Sequence, residues 1–371
     1  MNRRQFLATL TAGMLLVPAS GLAGTKPAPS TLYFSARASK EGRHYVSGFD
    51  ELGALRFSSE LPGRGHALAV QQQLNHVTAV ARRPGTYLIV LDGETGETIH
   101  ALESREGRHF FGHSLYSADG RWFYTSENDI ENRRGVIGVR DVHNSYQQVA
   151  EFPSHGIGPH ELRLLSDEHT LVVANGGILT LPETGRNKLN LDTMSPSLTY
   201  LNTESGELLE QHKLPQSLHQ NSIRHFDVNA NDQVCFAMQY QGNDGSTPQM
   251  VGLHSMGENL QLMNAPDTVL QQMRNYCGSV CSDISSHWFA VSSPKGGLVT
   301  FWSAKEGKYV GSVNVTDGCG IAAGVENGEF LLSSGRGGVY RYRIGSGRLE
   351  TLEQISNVDA RWDNHIARRK G

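Results

Sequence analysis

Gly65-His66-Ala67-Leu68-Ala69-Val70 is the first of seven related segments in this chain, each opening a short apolar run. It returns as Gly112-His113-Ser114-Leu115 and Pro159-His160-Glu161-Leu162, so the first three His lie 47 residues apart. The remaining copies are Arg224-His225-Phe226-Asp227, Gly278-Ser279-Val280-Cys281, Gly318-Cys319-Gly320-Ile321 and Asn364-His365-Ile366-Ala367. Strand-rich repeats of about 40–50 residues are typical of β-propellers, in which one repeat forms one blade.

The residues between successive copies divide into short strand-like runs separated by turns such as Asp92-Gly93. Six copies are followed by enough runs for a four-stranded blade. Three further runs precede His66, and a single run, Trp362–Ala367, ends the chain. We therefore predict an all-β, seven-bladed propeller over residues 31–371, as a single domain. The C-terminal strand pairs with the N-terminal strands, which closes the ring and removes exposed sheet edges.

Two insertions interrupt this rhythm, at residues 178–196 and 264–276. The second contains Pro266, and Pro is tolerated in a first helical turn, so we predict a helix over Asp267–Asn275. Both insertions are expected on the face where the His-led strands begin, and loops on a rigid scaffold often carry function.

The N-terminus predicts export. Asn2-Arg3-Arg4-Gln5-Phe6-Leu7 resembles the twin-arginine motif, the apolar run Ala8–Val17 follows, and Gly21-Leu22-Ala23 is a plausible cleavage site. The apolar run is too short to span a bilayer, which argues against the alternative of a membrane anchor. We predict a signal peptide over residues 1–23, a linker over 24–30, a periplasmic location, and no transmembrane segment in the mature chain. The net charge of −4 and the lack of a basic stripe argue against a nucleic-acid partner.

The first positions of the innermost strands should surround one mouth of the central channel. We predict that neutral imidazoles and one thiolate gather there as metal ligands, from His66, His113, His160, His225, His365 and Cys319. Such donors bind a transition metal, Fe, Cu or Zn. The alternative is structural, because WD-type propellers carry a Gly-His pair whose His is hydrogen-bonded within its blade.

The ends of the second strands approach the same face. Arg37, Arg82 and Arg336 are predicted to grip an anionic ligand on one side. Glu127 and Asp129 would form an acidic side near the His, and Asn175 and Gln239 would complete the ligand-binding rim. Solvated rim charges remain the alternative.

The four cysteines leave several possibilities open. Cys235 lies within an apolar run and is expected to be a buried free thiol. Cys277 and Cys281 do not have zinc-ribbon spacing. A disulfide or shared metal between Cys281 and Cys319 is possible, and the pairing of these three residues is not decided by the sequence. We find no nucleophile elbow, phosphate loop or HExxH motif.

The export motif, the His-led repeats and the closing Trp362-Asp363-Asn364-His365 resemble a family of exported bacterial propellers known as a domain of unknown function. The resemblance covers essentially the whole mature chain, and in repeat pattern alone it extends to YVTN-type and quinoprotein propellers. It implies a seven-bladed periplasmic propeller, often encoded beside imelysin-like iron-uptake proteins, which would be candidate partners. The family has no established catalytic residues to carry over.

Three functions are compatible with these features. The first is a binding or accessory protein for iron or another transition metal. The second is a metal-dependent hydrolase similar to propeller lactonases, for which Glu127, Asp129 and Glu161 are the candidate carboxylates. The third is a protein-interaction scaffold without a small ligand.

Overall fold

The computed structural model describes residues 31–83, 85–185 and 187–370, and the predicted signal peptide and linker lie outside these residues. The described residues form seven four-stranded antiparallel sheets, and the predicted seven-bladed propeller is confirmed. None of the helices in the described residues has the length and apolar character needed to cross a membrane.

Three strands from the N-terminus and one from the C-terminus make the closing blade. They are β1 (Leu32–Ala38), β2 (His44–Asp50), β3 (Leu55–Leu61) and β28 (Arg361–Arg369). β28 is the innermost strand and runs antiparallel to β1, with Leu32 opposite Arg369 and Ala38 opposite Arg361. The predicted closure of the ring by the C-terminal strand therefore agrees with the observed pairing.

The other six blades follow the chain, each from the axis outward. The second and third blades comprise β4 (Gly65–Gln71), β5 (His76–Ala81), β6 (Tyr87–Asp92), β7 (Thr98–Glu103), β8 (Arg108–Tyr116), β9 (Trp122–Asp129), β10 (Arg134–Asp141) and β11 (Gln147–Pro153). The fourth and fifth comprise β12 (Pro159–Leu164), β13 (Thr170–Asn175), β14 (Ser197–Asn202), β15 (Leu208–Lys213), β16 (Asn221–Val228), β17 (Val234–Tyr240), β18 (Val251–His254) and β19 (Gln261–Met263). The last two comprise β20 (Ser279–Ser282), β21 (Trp288–Ser293), β22 (Leu298–Ser303), β23 (Lys308–Asn314), β24 (Gly318–Ala323), β25 (Glu329–Ser334), β26 (Val339–Arg343) and β27 (Arg348–Thr351).

The burial of each strand follows from its place in the blade. The middle strands β5 and β6 are almost continuously buried, because neighbouring blades cover both of their faces. The outermost strands β7 and β23 alternate between exposed and partly buried positions, as expected where one face meets water. The innermost strands contact one another in sequence around the axis, from β28 through β4 to β24.

The described residues include two short α-helices at the edge of the ring. α1 (Asp267–Gln272) confirms the predicted helix but ends three residues early, since Arg274 and Asn275 take left-handed φ angles of 49° and 55°. α2 (Glu353–Ser356) lies between β27 and the closing strand β28. The loop between β13 and β14 and the segment after α1 both contribute residues to one cavity, so the two predicted insertions share a face.

Candidate metal centre

Five His rings from five blades meet at the axis of the propeller. The ring centroids of His113 lie 5.0 Å from His66, 4.5 Å from His160 and 4.6 Å from His365. The centroids of His225 and His365 are 5.0 Å apart, although β16 and β28 are separated by two blades. Side chains from non-neighbouring blades can meet in this way only at the centre, so the predicted convergence of the imidazoles is observed. We call this group the axial cluster; its members are His66, His113, His160, His225 and His365.

Each of these His lies at an irregularity of its strand. The pairing register shifts between Gly65 and Leu68 in β4, and between Phe110 and Ser114 in β8. Similar shifts occur beside the axial His of β12, β16 and β28. A β-bulge bends its strand and redirects a side chain, which explains how a residue of an innermost strand turns towards the axis.

Burial keeps the axial imidazoles uncharged. None of the five is more than 8 % exposed. Burial, and then the neighbouring His, lowers the pKa values of His113 and His160 well below the ordinary 6.5. The pKa values of His225 and His365 are lowered in the same way, and that of His66 is lowered by burial against an opposing effect of Asp363. Neutral imidazole is the form that binds a metal.

Two axial nitrogen atoms are buried without a hydrogen-bond partner in the described part of the chain, Nε2 of His113 and Nε2 of His365. An unsatisfied buried polar atom costs about 1–3 kcal/mol. A buried polar group without a partner therefore calls for a specific reason, and a bound ion is one that fits imidazole.

Asp363 fixes the orientation of His66. Its Oδ1 accepts a hydrogen bond of 3.1 Å from Nδ1 of His66, which leaves Nε2 of that ring with its lone pair. Arg64 donates to Oδ2 at 2.7 Å, and Arg82 lies 3.4 Å from the same oxygen. Burial would raise the pKa of Asp363, but His66 and the two guanidinium groups hold it well below its ordinary value. Metal-binding His commonly have a carboxylate partner of this kind.

Glu161 is a second buried carboxylate that accepts a hydrogen bond from an axial His. It is 2 % exposed, and its Oε2 accepts a hydrogen bond of 3.3 Å from Nδ1 of His225. Its Oε1 lies 3.8 Å from Nδ1 of His113 and forms an ion pair of 2.7 Å with Arg163. From the sequence, Glu161 was a candidate only as a hydrolytic carboxylate, whereas in the structure it accepts a hydrogen bond from one axial imidazole, His225, and lies near a second, His113.

The donor atoms are close enough to share an ion. One set comprises His66, His113 and His160, and a second comprises His113, His225 and His365. Within each set the ligand atoms lie within 4.8 Å of one another. A third set, Glu210, His212 and His254, lies on β15 and β18, away from the axis. Imidazole ligands suit Zn, Cu, Fe and Ni.

Cys319 is not in any of these sets. It also lies at a bulge, in β24, but its Sγ contacts the carbonyl oxygens of Trp362 at 3.4 Å and Asp363 at 3.3 Å. Burial raises the pKa of the Cys319 thiol to about 12, so it stays protonated and is a poor metal ligand. All four cysteines are free thiols, including Cys281, the suggested disulfide partner.

Glu127 and Asp129 do not face the axial cluster. Glu127 is fully buried in its blade, where its Oε1 accepts hydrogen bonds from Thr125 at 2.5 Å and Arg140 at 3.1 Å. Asp129 is paired with Arg134 at 2.9 Å and with Arg108 at 3.0 Å. The expectation of an acidic rim therefore fails, because each carboxylate has a cationic partner close by on its own sheet.

The remaining predicted rim residues separate into three places. Arg37 and Arg336 line one cavity, of about 680 Å³, where Arg37 donates to the carbonyl oxygen of Asp359 at 2.8 Å. Arg82 and Gln239 line another. Asn175 is fully buried and donates to the carbonyl oxygen of Ser154 at 2.9 Å, which is a structural contact. The three arginines thus do not form one binding group.

The cavity beside Arg82 has the axial cluster as its floor. Its volume is about 260 Å³, and His66, His160 and His225 line it. Its walls carry five cationic side chains: Arg82, Arg83, Lys188, Arg224 and Lys295. We call this space the basic cavity. A larger space of about 620 Å³, lined by His113, Glu161 and His365, lies against the other side of the cluster.

Sequence reasoning missed most of the basic cavity. Arg83, Lys188 and Lys295 lie in loops between second and third strands of different blades, and no repeat marks them. Arg224 directly precedes His225, and Asp363 lies two residues before His365. Their positions next to axial His are the sequence signals that could have placed these two residues near the cluster.

Comparisons with known proteins agree with this architecture. A chain of hydrazine synthase from Kuenenia stuttgartiensis superposes with a TM-score of 0.61 at 14 % identity, covering 92 % of this chain and 100 % of that chain. At this identity the likeness concerns the fold alone. The comparison with curated proteins gave no match. The family model described as Protein of unknown function (DUF1513) matches residues 59–369, and the chain belongs to that family.

Proposed function

We propose that this propeller binds one first-row transition-metal ion in the axial cluster. The observation that carries the proposal is the meeting of five buried imidazoles, two of which have buried Nε2 atoms without a hydrogen-bond partner in the described residues. A structural His would have both ring nitrogens satisfied. A metal ion would bind several of the axial ring nitrogens at once.

The surroundings of the cluster support the same proposal. Asp363 and Glu161 accept hydrogen bonds from Nδ1 atoms, which leaves the Nε2 atoms of His66 and His225 as the nitrogens that carry the lone pair. The lowered pKa values keep the imidazoles neutral at pH 7, so that no proton must be displaced before an ion binds. Iron, copper and zinc all accept imidazole, and we propose them as the candidate ions.

We further propose that the protein acts in the periplasm as a binding or accessory protein in transition-metal uptake. Support for the location comes from the twin-arginine-like segment, Asn2 to Leu7. Iron-uptake proteins of the periplasm are the proposed partners. A hydrolase of the lactonase type has less support, since Glu127 and Asp129 are engaged by arginines inside their blade.

The test is metal binding by the purified mature chain. After chelation and dialysis, the protein is titrated with Zn²⁺, Cu²⁺ and, without oxygen, Fe²⁺. We expect one ion per chain, a raised melting temperature, and nitrogen hyperfine splitting in the electron paramagnetic resonance spectrum of the Cu²⁺ form.

The variants are His113→Gln in the axial cluster and, as a matched control, His143→Gln at an exposed position. We expect His113→Gln to weaken binding by at least about 100-fold and the control to bind as wild type. The proposal is overturned if wild-type protein binds none of the three ions, or if both variants bind equally well.

A further inference from the structure

The basic cavity concentrates cationic side chains in a small space. Five cationic side chains line it, and none of the described residues lining it carries a carboxylate. This concentration is unusual in a chain whose net charge is −4. A cleft lined by one sign of charge raises the local concentration of ions of the other sign.

The two lysines of the cavity contact neutral neighbours. Nζ of Lys188 donates a hydrogen bond to Gln241 at 2.5 Å, and Nζ of Lys295 lies 4.6 Å from the ring centroid of Tyr276. Arg224 donates to the hydroxyl of Ser222 at 3.2 Å. The two lysine contacts position the ammonium groups without cancelling their charge.

Like charges act on one another across this space. Partial burial, followed by the charges of Arg224, Lys295 and Arg83, lowers the pKa of the Lys188 ammonium. The same Arg224 charge contributes to the lowered pKa values of His160 and His225 on the floor. Arg82 also lies near the carboxylate of Asp363, which it shares with Arg64 and His66.

We propose that the basic cavity binds a small oxyanion carrying two or more negative charges, of the carboxylate or phosphate class. The volume of about 260 Å³ lies below the ~300 Å³ at which pockets for drug-sized ligands begin, so the ligand is small. Arginine offers paired N–H donors to carboxylate and phosphate oxygens, and lysine adds point charges. Because the floor is the axial cluster, an oxyanion here lies next to the proposed metal ion. The anion site itself does not depend on a metal being bound.

The probes are citrate, inorganic phosphate and acetate, titrated calorimetrically into metal-free protein at low salt. We expect one citrate or phosphate per chain, binding that weakens as salt rises, and much weaker binding of acetate. A higher affinity for citrate than for phosphate would identify the ligand as a polycarboxylate. A higher affinity for phosphate would identify it as a phosphate. Failure of both to bind overturns the proposal.

The test variant is Lys188→Gln/Lys295→Gln, which removes two exposed charges from the cavity without touching the axial His. The control is Lys213→Gln/Lys308→Gln, which removes two exposed charges from outer strands. We expect at least about tenfold weaker binding in the first and less than twofold change in the second. Equal weakening in both would mean that net charge, and not the cavity, attracts the anion. Anion binding without metal binding would refute only the proposed function, and metal binding without anion binding only this inference.

Discussion

The described part of the chain contains two groups of closely spaced His, and they differ in how their ring nitrogens are satisfied. In the peripheral cluster, formed by Glu210, His212 and His254, Nε2 of His254 donates to the carbonyl oxygen of Glu258 at 3.0 Å. Its Nδ1 then accepts a hydrogen bond of 2.5 Å from the hydroxyl of Tyr200. Both nitrogens of this buried ring are therefore occupied by protein groups.

In the axial cluster only some of the ring nitrogens have protein partners. Its rings contact mainly one another, and the buried Nε2 atoms of His113 and His365 have no partner among the described residues. In the peripheral cluster, by contrast, Glu210 accepts hydrogen bonds from His212 and from the backbone of Gly257. Proximity of His and carboxylate groups is thus a weak indication of a metal site. Unsatisfied lone pairs in a buried, neutral group are a stronger one.

The largest expected effect separates the two clusters by substitution. His365→Gln should lower metal affinity by at least about 100-fold, because it removes a donor with no competing hydrogen bond. His254→Gln should change affinity less than twofold, since both of its nitrogens already have protein partners. Calorimetric titration with Zn²⁺ gives both numbers. Equal losses would show that the distinction between the clusters is wrong.

The second effect is on the pH dependence of stability in metal-free protein. Folding lowers the pKa values of the five axial His, so the unfolded chain binds more protons below about pH 6.5. Their contribution to the free energy of unfolding is complete above that pH and is lost as the pH falls towards the lower native values. Each His adds a slope of up to about 1.4 kcal/mol per pH unit. The charged groups that act on them include Glu161, Asp363, Arg64, Arg82, Arg163 and Arg224.

Glu210 in the peripheral cluster should act in a different pH range. Burial alone would raise the pKa of Glu210, but hydrogen bonds from His212 and Gly257 lower it. Its contribution to the free energy of unfolding is therefore lost only below about pH 4.5.

Urea unfolding at pH 7.5, 6.5 and 5.5 measures the effect of the axial His. His225→Gln should make the free energy of unfolding fall less steeply as the pH is lowered. A free energy of unfolding that is constant over this range would contradict the buried, neutral state of the axial imidazoles.

A third effect tests how the axial geometry is maintained. Gly112 has φ of +95°, and a Cβ there would lie 2.6 Å from Cδ2 of His66. Gly112→Ala should cost about 1–2 kcal/mol for the backbone alone, and should also displace His66 and weaken metal binding.

The control for this effect is Gly107→Ala, because Gly107 has φ of +72° with nothing within 4 Å of the added Cβ. It should show a similar loss of stability with unchanged metal affinity. Chemical unfolding and Zn²⁺ titration of both variants separate backbone strain from contact with the ring. Equal metal affinities in the two variants would exclude a role of Gly112 in positioning His66.

The smallest effect concerns the peripheral cluster alone. Tyr200→Phe removes the hydroxyl that donates to Nδ1 of His254, and should lower the free energy of unfolding by about 1 kcal/mol. Metal affinity should be unchanged. A measurable loss of metal binding, from the same titration, would indicate that the peripheral cluster also holds an ion.

Much of the architecture was predictable because propeller blades repeat. The 47-residue spacing of His66, His113 and His160 marks successive innermost strands. The unpaired strand at the C-terminus, carrying His365, predicted how the ring closes. The meeting of the axial His followed from the same register, since equivalent positions in repeated blades lie around one axis.

The repeat was misleading where local packing overrode it. Cys319 occupies the equivalent position in β24, yet its Sγ lies among backbone carbonyl oxygens of β28 and not with the His. Glu127 ends up inside its blade because Arg140 on the adjacent strand neutralises it there. The spacing of residues along the chain does not determine whether a side chain contacts the axial His or a group of its own or a neighbouring strand.

The repeated positions in the sequence determine the order of the strands, the number of blades and the positions of the axial residues. Backbone hydrogen bonds between the strands of each repeat then form the blades of the ring. The basic cavity is different, since Arg83, Lys188 and Lys295 belong to loops of three blades far apart in sequence. Loop positions obey no period, so their charges become neighbours only when the closed ring brings those loops over the axis. The same closure buries the axial imidazoles together. Burial lowers their pKa values and leaves two of their Nε2 atoms without a hydrogen-bond partner among the described residues.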